Sequence, residues 1–381
     1  MGFASADIVI VGGGPIGLAA AIALRQAGAD VLVADAQQPP IDKACGEGLM
    51  PDSLHELSRL GIDLAEVEGT PFGGIRFADR RSTVSAAFAG SAGLGVRRLM
   101  LHRQLLDRAA MMGVRMRWKT LVDLRSREKP TLGGETLSYK YLIGADGESS
   151  RTRAWAGLSA GGVRSRRFGF RSHFEFDREE ETSVYPGSSH VEVHWGDGGQ
   201  AYVTPVDERT VCVAVVSRSQ SPGTFKRVID SIPALRDSLA RARQLTPQRG
   251  AVTTTSSFYR VVRGNVALVG DASGTADAIT GEGLAMGFRQ ALLLRDSIAD
   301  GGLERYQAQH ADILRLPQRM AQIMLLMDRH PLLCRRIMRA FANRPELFAS
   351  MLRVHLNQES LPHVVLHHGF EFGRELLSIP G

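Results

Sequence analysis

Four β-branched residues in a row, Ile8-Val9-Ile10-Val11, mark a buried strand, and the apolar run from Leu18 to Leu24 that follows is helical in pattern. A second apolar strand, Asp30–Ala34, ends at Asp35. Ser53–Leu60 reads as a short helix stopped by Gly61, and 69–96 alternates weakly and is glycine-rich, which predicts strands and loops. An amphipathic helix is predicted over Leu101–Met112, with Leu101, Leu105, Leu106 and Ala109 on one face and Gly113 at its end. Val114–Trp118 and Leu121–Leu124 read as short strands, and Tyr141-Leu142-Ile143-Gly144 as a buried one entering Ala145-Asp146-Gly147.

From about Ser165 the pattern alternates. Phe168–Phe176, His190–Trp195, Ala201–Thr204 and Thr210–Ser217 predict antiparallel strands roofing a cavity, followed by a helix over Phe225–Ala242. Asn265–Val269 then returns to the buried-strand pattern, and Gly281-Glu282-Gly283 opens a helix over Leu284–Ile298. The stretch 304–357 is helical and rich in methionine, leucine and arginine, with Pro331 and Pro345 breaking it. It reads as a cap on the first domain, although its methionine-rich face would also suit closing a cavity over a long tail. His190, Glu192 and His194 share one strand face, which could look into the cavity or, the reading preferred, out to solvent with Val191, Val193 and Trp195 inward; they imply no metal site.

Between the first strand and helix lies Gly12-Gly13-Gly14-Pro15-Ile16-Gly17, a G-x-G-x-x-G turn. Gly12 makes the tight turn, Gly14 lets a pyrophosphate approach, and Gly17 lets helix and strand pack closely. The helix start offers free N–H groups to an anion. Asp35 stands at the separation expected of a carboxylate that binds an adenosine ribose, so a dinucleotide site is expected.

The composition, 44% hydrophobic and 23% charged over 381 residues, is that of a soluble globular protein. No segment reads as a membrane span or signal peptide. Three widely spaced cysteines fit a reducing, cytoplasmic setting without a disulfide framework. The net charge of +6 is carried mostly by arginine, in pairs at 80–81, 97–98, 166–167 and 335–336 without interleaved aromatics. That excludes a nucleic-acid reading in favour of anionic cofactors or weak association with an anionic membrane surface. Nothing in the pattern sets an oligomeric state.

Three separated segments carry a more specific signal: the turn ending at Asp35, Gly144-Ala145-Asp146-Gly147-Glu148-Ser149-Ser150-Arg151-Thr152-Arg153, and Gly270-Asp271-Ala272 followed by Asp277–Gly283. Together they resemble the FAD-dependent oxidoreductases of the para-hydroxybenzoate hydroxylase fold, which include class A flavin monooxygenases, flavin halogenases and geranylgeranyl reductases. The resemblance implies an α/β chain: a Rossmann-like FAD-binding domain over 1–155, with strands of the substrate domain near 69–96, and an inserted antiparallel β-sheet substrate domain over 156–262. The FAD-binding domain returns over 263–300, and C-terminal helices occupy 301–381.

It further implies FAD contacts from Gly12, Gly14, Pro15, Ile16, Gly17 and Asp35, from Arg103 and Val122, and from Asp146, supported by Arg153. Others come from Gly270 and Asp271, and from Gly281, Gly283 and Leu284, where a helix start would face the flavin ring. NAD(P)H would be a transient reductant. Lys43-Ala44-Cys45-Gly46-Glu47-Gly48-Leu49 resembles the K-x-C-G-x-G-L segment of geranylgeranyl reductases and of oxidoreductases associated with polyketide synthesis. It brings Cys45 and Gly46 to the cofactor, with Lys43 facing the pyrophosphate or solvent, and makes Cys45 and Glu47 catalytic candidates, to which Tyr202 of the later sheet is added. Cys45 can also be read as an inert buried thiol, and Glu47 as a base or as a loop hydrogen-bonding group.

The segment Gly199–Val206 keeps only Tyr202 and Pro205 of the aromatic halogenase and isoprenoid-reductase patterns, whereas Thr280-Gly281-Glu282-Gly283 looks like the reductase branch. The reading adopted is an NAD(P)H-dependent monooxygenase hydroxylating a hydrophobic phenolic or polyketide-type small molecule through a flavin C4a-hydroperoxide. The alternative is a reductase saturating a prenyl or polyketide alkene. A halogenase and a non-catalytic flavin-binding accessory protein stand behind these.

Overall fold

A computed structural model describes residues 3–126, 130–177 and 189–377. Six strands form one sheet in the spatial order Val262–Arg263, Val266–Leu268, Tyr141–Gly144, Ile8–Val11, Val31–Ala34, Arg115–Arg117. All neighbours are parallel except the first two. Ile8–Val11 lies inside this sheet with parallel partners on both sides, and such strands are buried on both faces, which is why none of its side chains is polar. The helix Pro15–Gln26 covers the sheet and packs against both Arg98–Met111 and Gly283–Ala299.

A second, mainly antiparallel sheet is built around Gly161–Glu175, which pairs with Arg249–Phe258 on one side and Thr210–Ser217 on the other. Gly199–Pro205 and His190–Gly196 continue it, and Gly74–Ala78 and Thr83–Ala87 from earlier in the chain complete that edge. The chain thus has the expected α/β architecture of a Rossmann-like sheet, an inserted sheet and C-terminal helices.

Two local expectations change, and two elements go unmarked by the pattern. The helix expected over Phe225–Ala242 is two, Thr224–Asp230 and Pro233–Leu239, because Pro233 has no N–H to continue the first. Arg249–Phe258 is a strand without apolar alternation; three threonines and two serines fill 253–257. A further helix, Leu361–Leu377, lies within the C-terminal helical segment expected over 301–381, past the stretch 304–357 read as helical. The C-terminal helices Glu304–Arg329, Pro331–Asn343 and Pro345–His355 are not chiefly a cap on the first domain. Met320, Met324, Phe341 and Phe348 share a core with Phe72, Ile75, Val84 and Trp195 of the second sheet and its surroundings. Among the described residues no helix is long and apolar enough to cross a membrane.

Buried charge ties these layers together. Arg167, only 1% exposed, reaches Asp277 at 3.2 Å, the Val216 carbonyl at 3.2 Å and Asp328 at 3.6 Å. Gln200 accepts from Arg167 and donates to Asp328. The second sheet, the turn at 277–280 and the helix Glu304–Arg329 meet at this one guanidinium. Arg167→Ala leaves the buried Asp277 without its guanidinium, while Asp328 keeps Arg218 at 3.4 Å; it is expected to cost roughly 3–5 kcal/mol of stability, read by urea denaturation.

His310 is buried between Ser273 Oγ (2.9 Å) and Gln290 Nε2 (3.3 Å), and burial pulls its pKa from 6.5 down to about 4. The folded state therefore binds fewer protons than the unfolded state. The stability this neutral histidine supports is fully present above about pH 6.5 and is lost as pH falls towards 4, a total of roughly 3 kcal/mol. In urea titrations at pH 7 and pH 5, the stability lost on acidification should be smaller in His310→Gln than in the parent.

Candidate functional site

The strand ends of the first sheet converge on one cavity of about 910 Å³. Gly12 has φ +111°, and a Cβ there would stand 2.4 Å from the Ala145 carbonyl oxygen. A Cβ on Gly17 would stand 1.9 Å from the Gly12 carbonyl oxygen. Gly14 differs: its φ is −68°, a Cβ would meet nothing within 4 Å, and it lines the cavity beside Pro15 and Ile16. Asp35 is aimed by two backbone donors, Gly13 N–H and Gln37 N–H, each at 2.7 Å.

The other motif loops meet here too. Asp146 lines the cavity while its carboxylate accepts from Thr152 N–H (2.9 Å), Thr152 Oγ1 and Ser150 Oγ, capping the helix Arg151–Trp155. Arg153 donates to the Ala272 and Glu148 carbonyls at 3.0 and 2.6 Å, tying the second and third motif loops together. Lys43 pairs with Asp271 at 3.0 Å, and both line the cavity with Val122, Gly270, Gly281, Gly283 and Leu284. Two helix N-termini, at Gly14 and at Glu282, carry no side-chain cap among the described residues and adjoin this cavity.

The Cys45 loop is held from behind. Glu47 has φ +60° and is buried; one oxygen accepts from Arg98 N–H at 3.0 Å, and the other lies 2.7 Å from His173 Nε2. Cys212 donates its thiol to the Cys45 carbonyl at 3.5 Å, and burial pushes that thiol well up from its ordinary pKa. Glu47, His173 and Cys212 bring their polar atoms within 4.8 Å of one another, but the Arg171 guanidinium, 3.9 Å from Glu47 and 3.3 Å from His173, already supplies the positive charge there. With both oxygens engaged, Glu47 clamps the loop, and Cys45 and Gly46 are presented to the cavity. Tyr202 also lines it, but its hydroxyl donates to the Ile279 carbonyl at 2.8 Å and burial pushes its pKa up, so it braces the turn before Gly281.

Arg103 is not brought to the site. Its side chain is 72% exposed, 4.0 Å from Asp107, and outside the cavity wall. The arginine on this helix that lines the cavity is Arg98, whose Nε is buried and unpartnered among the described residues. Five helical residues separate the two, about 140° of rotation, so only one can face inward. The paired Arg97-Arg98 at the helix start was the available signal.

At the far end the wall is apolar. Phe77, Val191 and Val193 come from the second sheet, and Met320, Met324, Met327, Phe341, Phe348 and Met351 from the C-terminal helices. Glu192 and His194 are buried on the opposite side of their strand rather than solvent-facing. Glu192 bonds Arg76 and His194, each at 2.9 Å; Arg76 stands opposite Glu192 on the neighbouring strand Gly74–Ala78.

A family model described as an FAD binding domain matches residues 5–304. The menaquinone reductase of Mycolicibacterium smegmatis is 28% identical over 342 residues, covering 81% of this chain and 80% of that protein. The rifampicin monooxygenase of Streptomyces venezuelae is 28% identical over 359 residues, covering 84% and 71%. A flavoprotein/dehydrogenase structure from Cytophaga hutchinsonii superposes with a TM-score of 0.80 at 15% identity, over 98% of this chain and 99% of that one.

The residues present fit FAD: open space at Gly14, an aimed carboxylate at Asp35 and two uncapped helix starts for anionic groups. Gly14→Val puts a side chain into that open space at a backbone angle valine accepts. It should leave the fold intact but weaken FAD retention at least about 10-fold, read by flavin absorbance after gel filtration. Gly17→Ala should instead cost roughly 1–3 kcal/mol in melting experiments, through collision with the Gly12 carbonyl.

Proposed function

Because this chain belongs to the FAD binding domain family, a family of flavoprotein oxidoreductases, we propose that it is an NAD(P)H-dependent monooxygenase that hydroxylates a hydrophobic phenolic or polyketide-type molecule. The observation that carries this reading is the single cavity running from the glycine turn to the methionine-rich wall. Bound FAD supplies two-electron transfer from a nicotinamide and activation of dioxygen. The chain's own residues do the rest. Asp35 would hold the ribose, and the helix Pro15–Gln26 would face the phosphates. The start of Gly283–Ala299 would favour negative charge on the ring. Phe77, Val191, Val193 and the methionines would exclude water and shape themselves around an apolar tail.

A second reading, saturation of a prenyl or polyketide alkene, is favoured by one feature. Cys45 stands at the cavity wall as a free, partly exposed thiol that could protonate a carbon. The similarity to menaquinone reductases supports the same reading.

Holoprotein given NAD(P)H and an alkylated phenol in air is expected to consume oxygen and form a hydroxylated product in step. Saturation of an alkene under nitrogen, without oxygen use, would overturn this in favour of the reductase. Cys45→Ser separates the two further: hydroxylation should persist within a few-fold, whereas alkene protonation should fall about 10²-fold or more with FAD content unchanged.

A further inference from the structure

A second, solvent-facing cavity of about 630 Å³ lies on the other side of the Gly283–Ala299 helix start. Glu282 lines this second cavity, and His355 lines the first. The two side chains meet between them, His355 Nδ1 lying 3.6 Å from Glu282 Oε2. Glu282 is 4% exposed, its Oε2 has no hydrogen-bond partner among the described residues, and its side chain does not cap the helix it precedes. A buried carboxyl left this way is costly. Neither the cofactor cradle nor the apolar wall uses it.

We propose that Glu282 and His355 form a proton relay from the second cavity into the flavin cavity. The proposal rests on the reading that FAD is reduced in the first cavity. Hydroxylation and alkene saturation each consume one proton per turnover beyond the hydride of NAD(P)H, and the wall around the reacting end is largely aliphatic and aromatic. The Glu282 carboxyl gives its proton to His355 Nδ1. The imidazole releases a proton from its other nitrogen into the cavity it lines, and a ring flip then returns a bare nitrogen to Glu282. Glu282 then regains a proton from water in the second cavity. Only protons move, and no protein group is oxidised or reduced.

The surroundings keep the carboxyl ready to donate. Burial raises its pKa and Asp52 acts in the same direction, while His355, Arg289 and a hydrogen bond from Thr280 oppose it. Arg289 is itself engaged by Asp52 at 2.5 Å and lies 3.7 Å from Glu56, which tempers its pull on Glu282. Glu282 therefore stays protonated to higher pH than an ordinary glutamic acid.

The test is laser-flash photoreduction of the anaerobic FAD-loaded protein by a sacrificial electron donor held at the same excess for every variant, with a pH-indicator dye reading proton uptake and flavin absorbance reading reduction. No nicotinamide or organic substrate is present. In the parent, uptake should keep pace with reduction. Glu282→Gln and His355→Gln should each slow uptake about 10-fold or more, and Glu282→Asp should restore part of the rate. Uptake at the parental rate in both glutamine variants would overturn the relay. Should Glu282→Gln lose FAD, His355→Gln decides alone. Because the readout needs no turnover, failure to hydroxylate or saturate any substrate would count against the function above and leave this result standing.

Discussion

The site depends on a contact in which one partner has no side chain at all. Helix Pro15–Gln26 can lie against strand Ile8–Val11 only because position 17 is glycine; any Cβ there would stand 1.9 Å from the Gly12 carbonyl. That contact sets where the helix begins, at the carboxyl edge of the sheet. Asp35, Ala145-Asp146 and Gly270-Asp271 end their strands along the same edge. Open α/β sheets bind ligands at such edges, where strand connections part in opposite directions. The cavity is a consequence of that geometry before any side chain contributes to it.

Polar clamps then hold each loop that reaches the cavity. Glu47 ties the Cys45 loop to His173 and to the Arg98 backbone. Arg153 joins the second and third motif loops, and Arg167 joins the turn at 277–280 to the second sheet and the C-terminal helices. Each clamp removes charge or polarity from water, which is costly unless the partners are well placed. Their return is in order: loops fixed before a ligand arrives need less conformational freedom frozen on binding.

The cofactor end was legible in the sequence because its determinants are local. A buried strand, a glycine turn and an acid at the next strand end all fall within residues 8–35, and the same short grammar recurs at Asp146 and Asp271. Boundaries such as Tyr141–Gly144 and Thr210–Ser217 were recoverable for the same reason. What was not legible depends on docking. Helical periodicity marks Arg98–Met111 as amphipathic but does not say that Arg98, rather than Arg103, turns inward. Strand alternation separates Val191 and Val193 from Glu192 and His194, yet it cannot show that Arg76, more than a hundred residues earlier, would meet Glu192 on the polar side. The Glu47–His173 clamp joins positions 126 residues apart and has no local signature.

The two ends of the cavity also differ in what they are made of. The cradle combines backbone, in its helix starts and glycines, with a few fixed polar side chains such as Asp35, Lys43 and Asp271. The far wall is side chain, and much of it is methionine, which repacks easily around different shapes. The family match ends at residue 304, while Met320, Met324, Met327, Phe341, Phe348 and Met351 all follow it. A menaquinone reductase and a rifampicin monooxygenase are each 28% identical to this chain, so the shared frame does not choose between reduction and hydroxylation. The features of this chain that bear on that choice are the side-chain wall of the C-terminal helices, which lies beyond the family match, and the free thiol at Cys45.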